Sequence, residues 1–319
     1  LESVYHWEKA RAGKIYLTQP LGGGPVREWT WAQAMDEVRR MANHLRSLGL
    51  PPKSHIALMA KNQAQWIMAD LAIWMSGHVT IPLYPTLAAE TVSQILGHSE
   101  SKLLLVGKLD DWETMKAGVP NDLPRIGLPL GPLAEVSGIP FWDDIVSSTE
   151  PLRESPTRDR DDLATIVYTS GSTGIPKGVM HSFGTMGATA KGVVDYLGIN
   201  AEDRVLSYLP LAHVFERWIV ECTSFMAGYH LFFAETLNTF VQDLNRARPT
   251  LFISVPRLWL KFQQGVHAKM PPEKLNRLLR IPILRRFVAK KVLNQLGLDH
   301  VRFAGSGSAP IPGEVIEWY

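Results

Sequence analysis

The sequence predicts an α/β protein with parallel strands and helices on both faces of the sheet, and three observations carry that reading. Short apolar, β-branched runs alternate with amphipathic helical stretches from residue 30 onward, which is the pattern of parallel strands joined by crossover helices. One such run, residues 163–167, feeds a loop of hydroxyls and glycines that ends on a lysine. Three turns, at 169–178, 210–217 and 305–310, each follow an expected strand. Open α/β sheets bind ligands beyond the carboxyl ends of their strands.

Residues 14–29 read as strand or turn around Gly22, Gly23 and Gly24. Thr30 opens a helix, with Gln33 three residues on as in a capping box. Ala34, Val38, Met41, Leu45 and Leu48 share one face of it, and Gly49 stops it. Strand is expected at 56–59, helix at 63–75, strand at 79–83, helix at 90–96 and strand at 103–106. Pro120, Pro124, Pro129, Pro132, Pro140, Pro151 and Pro156 leave little room for a long helix. Residues 118–156 are therefore expected as an irregular surface excursion, closed by the charged run from Arg158 to Asp162. Alternation then resumes with helix at 183–197, strand at 205–209, helix at 215–226 and strand at 229–233. Helix is expected at 240–247, strand at 250–254, helices at 256–268 and 283–296, and strand at 301–304. A last helix begins near Pro312, a residue suited to a first helical turn.

The 319 residues are 45% hydrophobic and 20% charged, as in an ordinary globular chain with a sizeable core. The formal net charge of +2 gives no global reason to expect nucleic acid. Cys222 is the only cysteine, which excludes internal disulfides and cysteine-rich zinc sites. A reducing, cytoplasmic setting is the default expectation, and no residue is assigned to a metal. Residues 1–15 mix charges and aromatics, unlike a signal peptide. Leu1 in place of a methionine points to a trimmed start.

The loop after the first diagnostic strand reads Tyr168-Thr169-Ser170-Gly171-Ser172-Thr173-Gly174-Ile175-Pro176-Lys177-Gly178. Glycines let successive N–H groups turn inward as an anion-binding nest, while the hydroxyls and Lys177 add donors and a positive charge. A triphosphate fits that set better than a solvated turn does. It is not a Walker A loop, because the sixth residue from Gly171 is Pro176 and Gly178 follows the lysine. The stretch resembles the phosphate-binding signature of the adenylate-forming (AMP-binding) superfamily, which includes acyl-CoA synthetases, luciferases and peptide-synthetase adenylation domains. Every fixed position of that signature is matched. The resemblance implies that Thr169, Ser170, Gly171, Ser172, Thr173, Gly174 and Lys177 hold the phosphates of ATP, with Lys177 catalytic.

The second turn reads Leu209-Pro210-Leu211-Ala212-His213-Val214-Phe215-Glu216-Arg217. A lone histidine after a strand is more often a helix cap or a satisfied core residue. Here the wording resembles the next motif of long-chain and very-long-chain fatty acyl-CoA synthetases. That resemblance places His213 beside the acyl carboxylate as a second catalytic residue. Some bacterial relatives carry a gating tryptophan four residues after the histidine, where this chain has Arg217, with Trp218 next to it. Glu216 and Arg217 stay open between a surface ion pair, an unrelated helix start and a structural role lining the site, with no catalytic role assigned to them. The third turn resembles the superfamily's adenine-binding segment and implies that Gly307, Ser308, Ala309 and Pro310 lie along the base.

By the same resemblance the fold is two stacked, doubly wound sheets, the large N-terminal domain of an adenylate-forming enzyme, with lobes at 51–195 and at 14–50 plus 204–319. The family continues with a Tyr-Gly-x-Thr-Glu segment that helps hold Mg²⁺ and with a mobile C-terminal domain. This chain stops at Tyr319, as a truncated domain would. The implied reaction joins a carboxylic acid to ATP and passes the acyl group from acyl-AMP to CoA. An apolar tunnel lined by Trp218, Ile219, Phe225 and Met226 would suit a long-chain fatty acid, although aromatics at such spacings are more often core. An acyl-AMP ligase that uses a carrier protein, a synthetase for another acid and a non-catalytic nucleotide-binding module are the alternatives.

Residues 257–291 hold ten Lys/Arg and one acid, Glu273, among interleaved apolar residues. They read first as a solvated basic helix pair. The second reading is a peripheral membrane contact, since basic amphipathic helices attract anionic lipid.

Overall fold

A computed structural model describes residues 1–134, 136–170, 174 and 176–319, with Ser170 contributing its backbone alone. After helix α1 (Glu2–Ala10), the chain folds back at Gly22, Gly23 and Gly24, all at positive φ. The resulting hairpin pairs β1 (Ile15–Pro20) with β2 (Val26–Thr30). Helix α2 (Trp31–Ser47) starts with the expected capping box, in which Thr30 Oγ1 accepts from Gln33 N and Gln33 Oε1 accepts from Thr30 N. Ala34, Val38, Met41 and Leu45 are buried along it, whereas Leu48, just past its end, is exposed.

A six-stranded sheet follows. Its strands are β3 (His55–Met59), β4 (Val79–Leu83), β5 (Leu103–Val106), β6 (Arg125–Gly127), β7 (Leu163–Ser170) and β8 (Pro176–Ser182), in the order β6-β5-β3-β4-β7-β8. All pairs are parallel except β7 with β8. Helix α3 (Ala64–Met75) is buried at all twelve positions, because α2, β1, β3 and β4 all pack against it. Its Asp70 takes the Thr80 hydroxyl. The neighbours of Thr80, Val79 and Ile81, point to the opposite face, where Val92, Ile95 and Leu96 of α4 (Ala89–His98) complete a core cluster. Helices thus cover both faces, as expected.

Residues 118–156 differ from expectation. After α5 (Trp112–Met115), β6 extends the sheet edge and α6 (Trp142–Ser148) packs on α2. Trp142 is fully buried, and its Nε1 donates to Glu37 Oε2 at 2.9 Å. A three-residue strand and a seven-residue helix carry too little periodicity to stand out among prolines. Strand β8 was also unexpected. Exposed Val179 and Met180 on this edge strand give it no buried alternation.

Helix α7 (Phe183–Leu197) matches its expected span, and β9 (Arg204–Ser207) ends two residues early. The helix expected at 215–226 divides into α8 (Val214–Glu216), a π-helical stretch at Arg217–Cys222 and α9 (Thr223–Ala227). Strand β10 (His230–Phe233) then pairs in parallel with β1, Leu17 opposite Leu231.

The described chain forms two compact units, Leu1–Ala201 with Ser207–Phe233, and Glu202–Leu206 with Ala234–Tyr319. Because α2 packs on α3, residues 14–50 join the same unit as 51–195 rather than the other expected lobe. The second unit holds α10 (Phe240–Ala247), β11 (Leu251–Ser254), α11 (Pro256–Lys269), α12 (Pro272–Leu279), α13 (Pro282–Gln295), β12 (Phe303–Ser306) and α14 (Gly313–Trp318). Strands β11 and β12 run parallel, and Phe240, Phe252, Trp259 and Phe262 form an aromatic core beside them. Asp203 draws the Arg302 guanidinium to 2.6 Å, and the strand expected at 301–304 begins at Phe303.

Candidate active site

Parallel pairing of Thr80 with Thr165 brings the carboxyl ends of β4 and β7 to one edge of the sheet, with β7 running two residues further. There β7 turns into β8, with Thr169 opposite Lys177 and Tyr168 opposite Gly178. Directly opposed residues of an antiparallel pair share a face, so the Lys177 and Thr169 side chains stand side by side, both exposed. Gly171, Ser172 and Thr173 lie outside the described residues, and Ser170 contributes its backbone opposite Pro176. Gly174 is exposed at φ +78°. Gly178 is required by packing, since a Cβ there would lie 2.7 Å from Ile166 Cγ2 and 3.2 Å from the Tyr168 ring.

Tyr84 follows β4 at the same edge, and its ring meets that of His213 edge-on at 6.4 Å. The structure therefore brings the second expected turn to the side of the sheet that carries Lys177. His213 is exposed and caps α8, its Nδ1 accepting the Phe215 N–H at 3.0 Å. An acceptor at Nδ1 places the proton of the neutral ring on Nε2. The imidazole then offers an N–H donor outward, suited to a carboxylate or phosphate oxygen.

Two buried side chains hold the loop that leads to His213. Asn62, just beyond β3, donates to Ser207 Oγ at 2.8 Å and Leu209 O at 2.7 Å, and its Oδ1 accepts from Leu211 N at 3.2 Å. Glu216 Oε1 accepts from Ser207 Oγ at 2.8 Å and Tyr208 N at 2.9 Å. These bonds bend residues 208–211 off the strand, which is why β9 stops early. Burial pushes the Glu216 carboxyl up to about 8, against the opposing pull of its hydrogen bonds.

Arg217 is neither surface-exposed nor paired with Glu216, which corrects the surface-ion-pair reading. It is fully buried, with Nη2 2.5 Å from Asp70, Nη1 2.5 Å from Thr165 Oγ1 and Nε 3.3 Å from Glu221. Its guanidinium lies over the Trp66 and Trp74 rings. Burial raises both acids, Glu221 the more strongly because Asp70 sits beside it. Trp218 is buried with His181 edge-on at 4.7 Å, and Phe225 packs edge-on to Trp74 as plain core.

The third turn belongs to the second unit. Gly307 N donates to Ser254 O at 3.0 Å, continuing the β11–β12 ladder, and Ser308 follows at φ +66°. Ser308, Ala309 and Pro310 are exposed, with small side chains that leave the backbone open. A left-handed serine is uncommon and stores strain of the kind found at ligand clamps.

Sequence reasoning passed over Asn62, Tyr84 and Ser207. Asn62 and Tyr84 did carry a signal, since each follows an expected strand at its carboxyl end.

The model of the AMP-binding enzyme family matches residues 5–319. Long chain acyl-CoA synthetase 4 of Arabidopsis thaliana is 29% identical over 324 residues, covering 90% of this chain and 48% of that protein. Fatty acyl-CoA synthetase A of Dictyostelium discoideum is 28% identical over 353 residues, covering 100% of this chain and 52% of that protein. The chain thus spans about half the length of the curated relatives it matches. Among solved structures, a benzoate CoA ligase from Burkholderia xenovorans superposes with a TM-score of 0.75 at 21% identity, over 99% of this chain and 57% of that one. The N-terminal domain of FACL13 from Mycobacterium tuberculosis gives 0.74 at 22% identity, over 99% and 71%. With its phosphate-loop wording, its α/β fold and a family match over almost its whole length, this chain belongs to the AMP-binding enzyme family.

Proposed function

We propose that the protein of which this chain is part activates a long-chain fatty acid with ATP and transfers the acyl group to CoA, in the cytoplasm. One observation carries the reading: the Lys177 hairpin and the Tyr84–His213 pair stand at the same carboxyl edge of the sheet. The names of the relatives, long chain and fatty acyl-CoA synthetases, support the choice of acid.

In this reaction a carboxylate oxygen bonds to the α-phosphorus of ATP as the bond to the bridging oxygen breaks and pyrophosphate leaves. Lys177 and the adjacent hydroxyls hold the β,γ-phosphates, while His213 Nε2–H orients the carboxylate or the α-phosphate. The CoA thiolate then attacks the acyl carbonyl, the bond to AMP oxygen breaks, and AMP departs. Catalysis of this kind rests on positioning and charge neutralisation. Among the described residues no cluster of three or more His, Cys, Asp or Glu could hold a metal ion. A lysine with hydroxyls is an anion-binding set and does not fit Mg²⁺, which enters in this proposal as part of MgATP.

ATP–pyrophosphate exchange on the full-length protein, with acids from acetate to long-chain fatty acids, tests the proposal. Exchange that rises with chain length is expected. Exchange with short or aromatic acids alone overturns the choice of acid, and ATP binding without any exchange overturns the chemistry.

A further inference from the structure

We propose that the outward face of α13, together with the turn before it, is a docking surface for an anionic lipid bilayer. Helix α13 has no fully buried residue. Val288, Ala289, Val292 and Leu293 are half-buried and mark its inward side. Ile283 and Phe287, one turn apart on the opposite side, are 89% and 68% exposed, with Ile281 and Leu284 also open to solvent. Large apolar side chains held outward on a helix already packed along its other side have no partner among the described residues.

The charge around them chooses the partner. Residues 274–298 contain seven Lys/Arg and no acid. By helical spacing Arg286, Lys290 and Lys291 flank Ile283 and Phe287, Arg280 stands in the turn before the helix, and α12, packed against α13, adds Lys274 and Arg277 to the same unit. The ion pairs of this unit engage Arg246, Arg248 and Arg302 and leave those seven cations unpaired among the described residues. A second copy docked by the same face would set these cations against their own kind. An anionic surface that accepts Ile283 and Phe287 between its headgroups satisfies both the charge and the apolar tip, with lysine stems lying along the boundary. No helix among the described residues is long and apolar enough to cross a membrane, so the contact is in-plane. The membrane contact expected for 257–291 thereby narrows to the 280–291 segment.

The test is co-sedimentation of the chain with phosphatidylcholine vesicles and with vesicles in which about a third of the lipid is phosphatidylglycerol, at low and high salt. Binding to the anionic vesicles alone, weakened by salt, is expected. Each of Arg286→Gln, Lys290→Gln and Lys291→Gln should lower the partition coefficient about fivefold, and Phe287→Ser about tenfold. All four residues are exposed, so far-UV circular dichroism should stay unchanged. Equal binding to both vesicle types, no binding, or binding indifferent to these substitutions overturns the proposal. A concentration-dependent dimer dispersed by Phe287→Ser, without vesicle binding, assigns the face to a second copy instead. The readout needs neither ATP nor acid, so its failure is separable from failure of the proposed reaction.

Discussion

Glu216 accepts the backbone N–H of Tyr208 at 2.9 Å from a fully buried position, and this bond holds the bend from which His213 projects. The folded-state carboxyl, at about 8, lies above the ordinary value of 4.5. Between those values the folded chain keeps a proton that the unfolded chain releases. Stability attributable to this group is therefore full below the lower value and falls as pH rises through the window. Urea unfolding from about pH 5 to pH 8 should show the wild type losing on the order of 3 kcal/mol more than Glu216→Gln. Equal slopes for the two proteins would remove the claim.

Arg217 is the only cation paired with Asp70 and Glu221 among the described residues. Replacing it alone, as Arg217→Met, leaves buried acid without compensation and should cost about 3–5 kcal/mol in chemical denaturation. The triple variant Asp70→Asn, Arg217→Met, Glu221→Gln should recover most of that loss. A triple variant as unstable as the single one would show that packing, not charge, sets the cost.

Lys177 is exposed and has no ion-pair partner among the described residues, so its removal should leave the fold intact. Lys177→Ala is expected to lower the pyrophosphate-exchange rate of the full-length protein about 10²–10³-fold with an unchanged melting temperature. A large loss of stability alongside the rate would assign Lys177 to the hairpin instead.

His213 caps a helix and faces the site, and two substitutions separate these roles. His213→Ala should lose about 1 kcal/mol of stability and also lose exchange activity. His213→Asn keeps a side-chain acceptor for the cap and should restore stability while exchange stays low. Recovery of both by asparagine would reduce the histidine to a cap.

Gly178 sits against Ile166 and Tyr168 with no room for a methyl group. Gly178→Ala should destabilise the β7–β8 hairpin by about 1–3 kcal/mol, and hydrogen exchange should speed up first at residues 166–170 and 176–180. Protection equal to wild type there would mean that Ile166 and Tyr168 make room for the methyl group without cost.

Much of this architecture was legible because its signals are local. Thr30 and Gln33 spelled out a capping box, and residues 79–83 and 103–106 read as strands at the limits the structure gives them. Features decided by distant partners were hidden. Asp70 looks out of place in an apolar helix until Arg217 arrives from 147 residues further along. Trp142 is one aromatic among prolines until Glu37 accepts its N–H. In the site, Lys177 and His213 stood out through motif wording. Asn62 and Tyr84 are single polar residues whose meaning lies in the neighbours that folding brings to them.

The parallel pairing of Leu17 with Leu231 joins strands more than two hundred residues apart. On a ribosome the first strand leaves the exit tunnel long before its neighbour has been made. Synthesis thus carries a prolonged stage in which the β1–β2 hairpin is a free sheet edge, the kind of surface that chaperones shield and that aggregates recruit. Slowing translation between residues 30 and 230 should lengthen that exposure, whereas speeding it should shorten it.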